Sequence, residues 1–136
     1  MKTNVLVDTS IWIEYFNHRH SEGGAEIETL LKEERVVIAG IVLTELLQGA
    51  KIKKDFDAIL DSVVVLPFLD ATLRTWIEAG RISYSLRREG VTVPTTDLII
   101  ASLAIENNCF LFSLDSHFDQ VPGVKRYPVP APMQPA

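Results

Sequence analysis

The stretch that most constrains this chain is Val93-Pro94-Thr95-Thr96-Asp97-Leu98-Ile99-Ile100-Ala101-Ser102-Leu103-Ala104-Ile105. Pro94 fixes an extended entry, Thr95 or Thr96 offers a hydroxyl cap, and Asp97 falls in the first helical turn, where exposed N–H groups favour an anion. From position 98 to 105 every residue but Ser102 is apolar. A helix with no face for water must be covered nearly all round. It also carries a carboxylate to the mouth of a buried element, where an unpaired charge is costly.

The remaining chain supplies the covering layers. Residues 4–7 form a short apolar run that ends in Asp8-Thr9-Ser10, a buried strand handing over to a helix capped by Thr9 or Ser10. Residues 17–24 are polar and glycine-containing, which predicts a loop, and residues 25–32 place Ile27, Leu30 and Leu31 on one helical face. A second strand spans 36–39 with Gly40 as its exit. Residues 41–50 then form an apolar helix whose only charge is Glu45, broken or bent at Gly49, and residues 51–61 continue as a more polar helix. The run 63–66, closed by Pro67, predicts a third strand. Residues 70–88 predict a long helix with Leu73, Trp76, Ile77 and Leu86 as its apolar positions, Gly80 as a weak point and Gly90 as its end. After the Asp97 helix come a turn at Asn107-Asn108, a fourth strand at 109–114, a short helix capped by Asp115 or Ser116, and an edge strand within 124–129.

Strands alternating with helices imply an α/β fold, a three-layer sandwich with a mainly parallel central sheet. One domain is expected over residues 1–129. A tail at 130–136, rich in proline at Pro130, Pro132 and Pro135, is expected to be extended and mobile.

Composition narrows the function. Asp8 interrupts Val5-Leu6-Val7 before a signal-peptide core can form, and no apolar stretch is long enough to cross a bilayer. The single cysteine, Cys109, lies among Phe110, Leu111 and Phe112 and reads as a buried thiol. These features fit a cytoplasmic protein. The net charge of −5 argues against binding nucleic acid by bulk positive charge. Lys51, Lys53 and Lys54, with Arg81, Arg87 and Arg88, could form a local basic rim, although such runs taken alone are ordinary solvated helix faces.

Four acids occupy comparable places in this layout: Asp8 after the first strand, Glu45 just after the second, Asp97 at the mouth of the buried helix and Asp115 after the fourth strand. In open parallel sheets the ligand crevice lies beyond the carboxyl ends of the strands, so all four can converge there. Each of the aspartates could instead be a cap. Glu45 is no cap, and its neighbours at helical spacing, Ile41, Val42, Gln48 and Gly49, offer it no partner. Grouped carboxylates repel unless a cation sits among them, and oxygen ligands without a His or Cys cluster favour Mg²⁺, with Mn²⁺ as the alternative. The chemistry such a centre serves is phosphoryl transfer or phosphodiester hydrolysis. His117 stands close to Asp115, but a lone histidine after a cap reads as structural and receives no role.

Val5-Leu6-Val7-Asp8-Thr9-Ser10-Ile11-Trp12, Thr44-Glu45-Leu46-Leu47-Gln48-Gly49, Thr96-Asp97-Leu98-Ile99-Ile100-Ala101 and Ser113-Leu114-Asp115-Ser116-His117-Phe118 together resemble PIN-domain ribonucleases, specifically VapC-type toxins of bacterial or archaeal toxin-antitoxin pairs. The resemblance covers about residues 4–129. It implies a parallel sheet between helices, an acidic Mg²⁺ site of Asp8, Glu45, Asp97 and Asp115 with Asp8 and Asp97 as its firmest ligands, and Thr9 or Ser10 orienting Asp8. Family members often carry threonine where this chain has Ser113, and they can reach the metal from the Glu45 position through water. The resemblance further implies RNA as substrate, pairing into homodimers, and inhibition by a cognate antitoxin that inserts into the acidic groove.

Two other readings compete. An aspartate after the first strand also opens haloacid-dehalogenase-type phosphatases, but these need a second acid two residues later, where this chain has Ser10. A non-catalytic PIN-fold interaction module would keep the groove and lose acids, and here all four are present.

Overall fold

In the computed structural model, which describes residues 2–18 and 20–131, the short apolar runs assemble into five parallel strands in the order β3-β2-β1-β4-β5. The elements in chain order are β1 (Val5–Val7), α1 (Thr9–Asn17), α2 (Glu22–Lys32), β2 (Val36–Ala39), α3 (Gly40–Gln48), α4 (Lys53–Val63), β3 (Phe68–Leu69), α5 (Leu73–Arg88), α6 (Thr95–Glu106), β4 (Phe110–Phe112), a 3₁₀ turn (Ser116–Gln120) and β5 (Lys125–Arg126). Val5, Leu6 and Val7 are all fully buried. Successive strand side chains point to opposite faces, so both faces of the sheet are covered. That is the three-layer arrangement.

Register ties the centre together: Val5 lies opposite Val36 on one side and Phe110 on the other, and Leu6 lies opposite Val37 and Leu111. From β1 the chain steps outward to β2 and β3, then returns to place β4 on the other side of β1. The strand order therefore reverses between β1 and β4, and a crevice opens beyond their carboxyl ends. Asp8 and Ser113 are the first residues past those two ends.

Helix α6 is buried from Leu98 through Ala104, while Ile105 at its last turn is exposed. It packs against α5, where Thr75 and Ala79 give the buried side close approach and the Thr75 hydroxyl donates to Glu106 at 2.8 Å. Because Thr75 lies near the start of α5 and Glu106 at the end of α6, the two helices run antiparallel. The Arg87 and Arg88 end of α5 therefore stands at the Asp97 end of α6.

Several local expectations change. The N-cap of α1 is Asp8 and that of α6 is Pro94; neither Thr9, Ser10, Thr95 nor Thr96 caps these helices. The loop expected at 17–24 is shorter, because Ser21 caps α2 by accepting from the Gly24 N–H and draws Gly23 and Gly24 into the helix. Gly40 begins α3 rather than lying outside it. The third strand is not 63–66: α4 runs through Val63, Val64 and Val65 face solvent, and pairing with β2 begins after Pro67, whose carbonyl accepts from Ile38 N–H. On α5, Leu73, Trp76 and Ile77 point outward, and Leu86 alone of the four expected apolar positions is buried.

Gly49 caps α3 as expected, and Gly90, at φ +80°, provides the left-handed turn after α5. Cys109 is buried, and burial pushes its thiol pKa up. Only the first part of the proline-rich tail falls within the described residues; Pro132 and Pro135 lie outside them. No helix among the described residues is long and apolar enough to cross a membrane.

A candidate metal-binding acidic centre

Asp8 is the N-cap of α1 by its backbone, yet its carboxylate makes no capping bond. Its N–H instead extends the β1–β4 pairing by donating to Phe112 O at 2.8 Å. This holds the side chain, 7% exposed, at the reversal point of the sheet. Two hydroxyls then fix it: Ser113 Oγ donates to Asp8 Oδ2 at 2.7 Å and Ser10 Oγ donates to the same oxygen at 3.0 Å. Both bonds fall on Oδ2, so Oδ1 stays available to a ligand.

The same hydroxyls knit β1 to the segment after β4. Ser10 Oγ accepts from Leu114 N–H at 3.0 Å, and Ser113 Oγ accepts from Asp115 N–H at 2.9 Å. Ser113 is thus bonded to two of the four acids at once. Asp115 caps the 3₁₀ turn, its Oδ1 accepting from His117 N–H at 2.8 Å. The turn carries the His117 ring back over the centre, where Nδ1 lies 3.0 Å from Asp115 Oδ1 and 3.1 Å from Asp97 Oδ2. One ligand atom each from Asp97, Asp115 and His117 fit within 4.8 Å of one another.

Asp8 stands outside that tight group, and so does Glu45. Glu45 Oε1 accepts from Thr9 Oγ1 at 2.9 Å, so it is tied to the residue next to Asp8 rather than to the other acids directly. It also lines a largely apolar groove of about 580 Å³ with Gly40, Gln48, Phe68, Trp76 and Thr96. The groove thereby connects the acidic centre to the exposed aromatic rings of Phe68 and Trp76.

Electrostatics match the crowding. The Asp97 pKa is raised, first by burial and then by the negative charges of Asp115 and Asp8, with the His117 hydrogen bond opposing. The His117 pKa is raised too, chiefly by the charge of Asp115, with its bonds to Asp97 and Asp115 adding to this and partial burial opposing. No Lys or Arg pairs with Asp8, Glu45, Asp97 or Asp115 among the described residues. His117 is the sole cationic group in ion-pair contact with them there. Carboxylate oxygens gathered without a Lys or Arg partner are the donor set of a hard divalent cation, and these residues fit one.

Sequence reasoning placed His117 close to Asp115 and gave it no role; its contact with Asp97 comes from the fold. The signal lay in the spacing Asp115-Ser116-His117: an aspartate cap accepts from the N–H two residues on, which fixes that residue's side chain beside the capping carboxylate. The basic residues divide. Lys53 pairs with Asp57, Arg81 with Glu78, and Arg88 lies over the Tyr84 ring, all within their own helices. Lys51 lines a separate polar cleft with Phe16, Asn17 and Asp55.

Residues 5–124 match the PIN domain family model. The chain is 32% identical over 121 residues to VapC ribonuclease Mb1587 of Mycobacterium bovis, an alignment covering 86% of this chain and 90% of that protein. It is 30% identical to ribonuclease VapC1 of Methanocaldococcus jannaschii over 93% of this chain and 88% of that one. Among solved structures, VapBC2 of Rickettsia felis, bound to a DNA fragment from its promoter, superposes with a TM-score of 0.78 at 26% identity, covering 90% of this chain and 96% of that chain.

Proposed function

This chain belongs to the PIN-domain family, among the VapC ribonucleases, and from that premise we propose that it is a Mg²⁺-dependent endoribonuclease, with Mn²⁺ as alternative cation, acting as the toxin of a toxin-antitoxin pair. The observation that carries this reading is the meeting of Asp97 and Asp115 at the β1/β4 crevice, with Asp97 near enough to Asp8 to feel its charge and no Lys or Arg paired to these acids among the described residues.

Asp8, Asp97, Asp115 and Glu45 would hold the cation. When bound, it supplies the Lewis acidity that makes water a competent nucleophile at neutral pH and offsets the charge growing on the phosphodiester. The chain's own residues prepare that centre. Ser10 and Ser113 lock one oxygen of Asp8 and present the other, and Ser113 couples that lock to the position of Asp115. Thr9 keeps Glu45 turned toward the groove end of the centre. Attack in line with the 3′-oxygen breaks the bond on that side, leaving a 5′-phosphate.

RNA is the substrate in this reading, and a cognate antitoxin is the partner that silences the site in the cytoplasm. The Rickettsia felis neighbour was solved as a VapBC complex, which supports a partner of that kind. A homodimer is supported by the exposed apolar side chains of Phe68, Leu73, Trp76 and Ile77, which lie on β3 and the first turns of α5. The test is cleavage of RNA by purified, antitoxin-free protein. Cutting that needs added Mg²⁺ or Mn²⁺, stops in EDTA and yields 5′-phosphate ends is expected. Equal cutting in excess EDTA would overturn the mechanism. Metal binding without cleavage of any RNA would leave the interaction-module reading.

A further inference from the structure

We infer that His117 is a nitrogen ligand of the catalytic cation, so that this centre is a mixed oxygen and nitrogen site that binds Mn²⁺ more tightly than it binds Mg²⁺. The inference rests on the metal-site reading above and specifies its coordination.

Three observations carry it. First, the position of Nδ1 is the geometry of a neighbouring ligand. Metal–donor distances of about 2.0–2.2 Å in an octahedral shell separate adjacent donors by about 2.8–3.1 Å. His117 Nδ1 lies 3.0 Å from one Asp115 oxygen and 3.1 Å from one Asp97 oxygen. All three groups can therefore ligate one ion with little movement. Second, the ring is held there by backbone rather than by chance: Asp115 accepts the His117 N–H, and the 3₁₀ turn that follows seats Phe118 in the core, 1% exposed. Third, a single ring N–H cannot point at two carboxylates at once: Nδ1 hydrogen-bonds Asp97 and lies in ion-pair contact with Asp115, so one proton is shared between the two acids. A cation on the three donors replaces that shared proton, which leaves to solvent as the metal–nitrogen bond forms.

The consequence is selectivity. Mg²⁺ takes oxygen ligands and keeps its waters, whereas imidazole nitrogen shifts preference toward transition ions, of which Mn²⁺ also accepts the surrounding carboxylates. The alternative role is purely electrostatic: His117 would be a counter-ion to Asp97 and Asp115 that the cation displaces.

The two roles differ spectroscopically. Mn²⁺ is added to the purified full chain, and pulsed electron paramagnetic resonance reads directly bonded nitrogen. The expected result is a nitrogen coupling that changes from the ¹⁴N to the ¹⁵N pattern when the protein is grown on ¹⁵N-histidine, a readout that needs no mutation and so no test of folding. His18 and His20 complete the three histidines, and a His18→Gln, His20→Gln variant should keep the coupling. His117→Gln should abolish it while Mn²⁺ still binds, lower Mn²⁺ affinity about tenfold and change Mg²⁺ affinity less. Mn²⁺ bound to wild type without nitrogen coupling would overturn the ligand role and leave the carboxylate site standing. Failure of wild type to bind Mn²⁺ at all would overturn both.

Discussion

Replacing Asp97 with asparagine should stabilise the metal-free protein and remove most of its response to Mg²⁺. Asp97 is 14% exposed, with one of its oxygens no more than 4.8 Å from one of Asp115, and two unit charges at that distance repel by about 3.5 kcal/mol at an effective dielectric of ~20. His117 between them cancels most of this, leaving a net gain of about 1 kcal/mol for the variant. For a chain of 136 residues the unfolding entropy is about 0.29 kcal/mol/K, so the metal-free variant should melt about 3–4 °C above wild type. A cation bound only by the folded state contributes RT ln(1 + [L]/Kd), or about 2.7 kcal/mol at a hundredfold excess over Kd. Wild type should therefore gain about 9 °C from Mg²⁺ and the variant far less. Thermal melts of both proteins in EDTA and in Mg²⁺ measure all four values. Asparagine caps a helix as well as aspartate, and Pro94 rather than Asp97 is the N-cap of α6. Parallel responses of the two proteins to Mg²⁺ would refute Asp97 as a ligand.

The pH dependence has a defined sign. A carboxyl whose folded-state pKa is raised destabilises the fold as pH climbs from the unfolded value through the raised one, so the advantage of Asp97→Asn in EDTA should be absent in acid below the ordinary carboxylate range and full at neutral pH; melts at about pH 2.5 and about pH 7 check it. Ser113→Ala removes a hydroxyl from both Asp8 and Asp115 and should lower metal affinity roughly 10- to 100-fold, as read by Mn²⁺ titration. Arg87→Ala with Arg88→Ala, at the Asp97 end of α5, should weaken RNA binding and reduce the salt slope by about 0.7 for each phosphate no longer neutralised; an unchanged slope would make them a solvated helix face. Leu73→Glu with Trp76→Glu should convert a dimer to a monomer in sedimentation, with little loss of melting temperature, since both side chains are exposed in the single chain.

What could be read from sequence follows from how local each signal is. The buried run in α6, the strand 36–39 and the stop at Gly49 are set by the chain's own composition, and they stand where expected. The run Val63-Val64-Val65-Leu66 misleads because a short apolar stretch has the same composition whether it ends a helix or forms a strand. Its fate is decided by which residues reach the edge of β2, and those are Phe68 and Leu69. The α5 stripe misleads for a related reason: α6 is met by small Thr75 and Ala79, so the large apolar residues on the other side remain uncovered. For the centre, the strand-end positions of Asp8 and Asp115 were legible from the layout. The reversal of strand order that brings them together was not, because it depends on long-range pairing of β1 with β4. His117 needed both, a cap beside it and Asp97 across from it.

The central claim is that Asp8, Asp97 and Asp115 jointly hold the cation that RNA cleavage requires. Anomalous diffraction from crystals of the full chain soaked in Mn²⁺ tests it most directly. The account predicts a Mn²⁺ peak within about 2.5 Å of carboxylate oxygens from Asp8, Asp97 and Asp115, with His117 Nδ1 also at ligand distance. Saturating Mn²⁺ that leaves those carboxylates without a peak, or places it only elsewhere on the surface, would contradict the account.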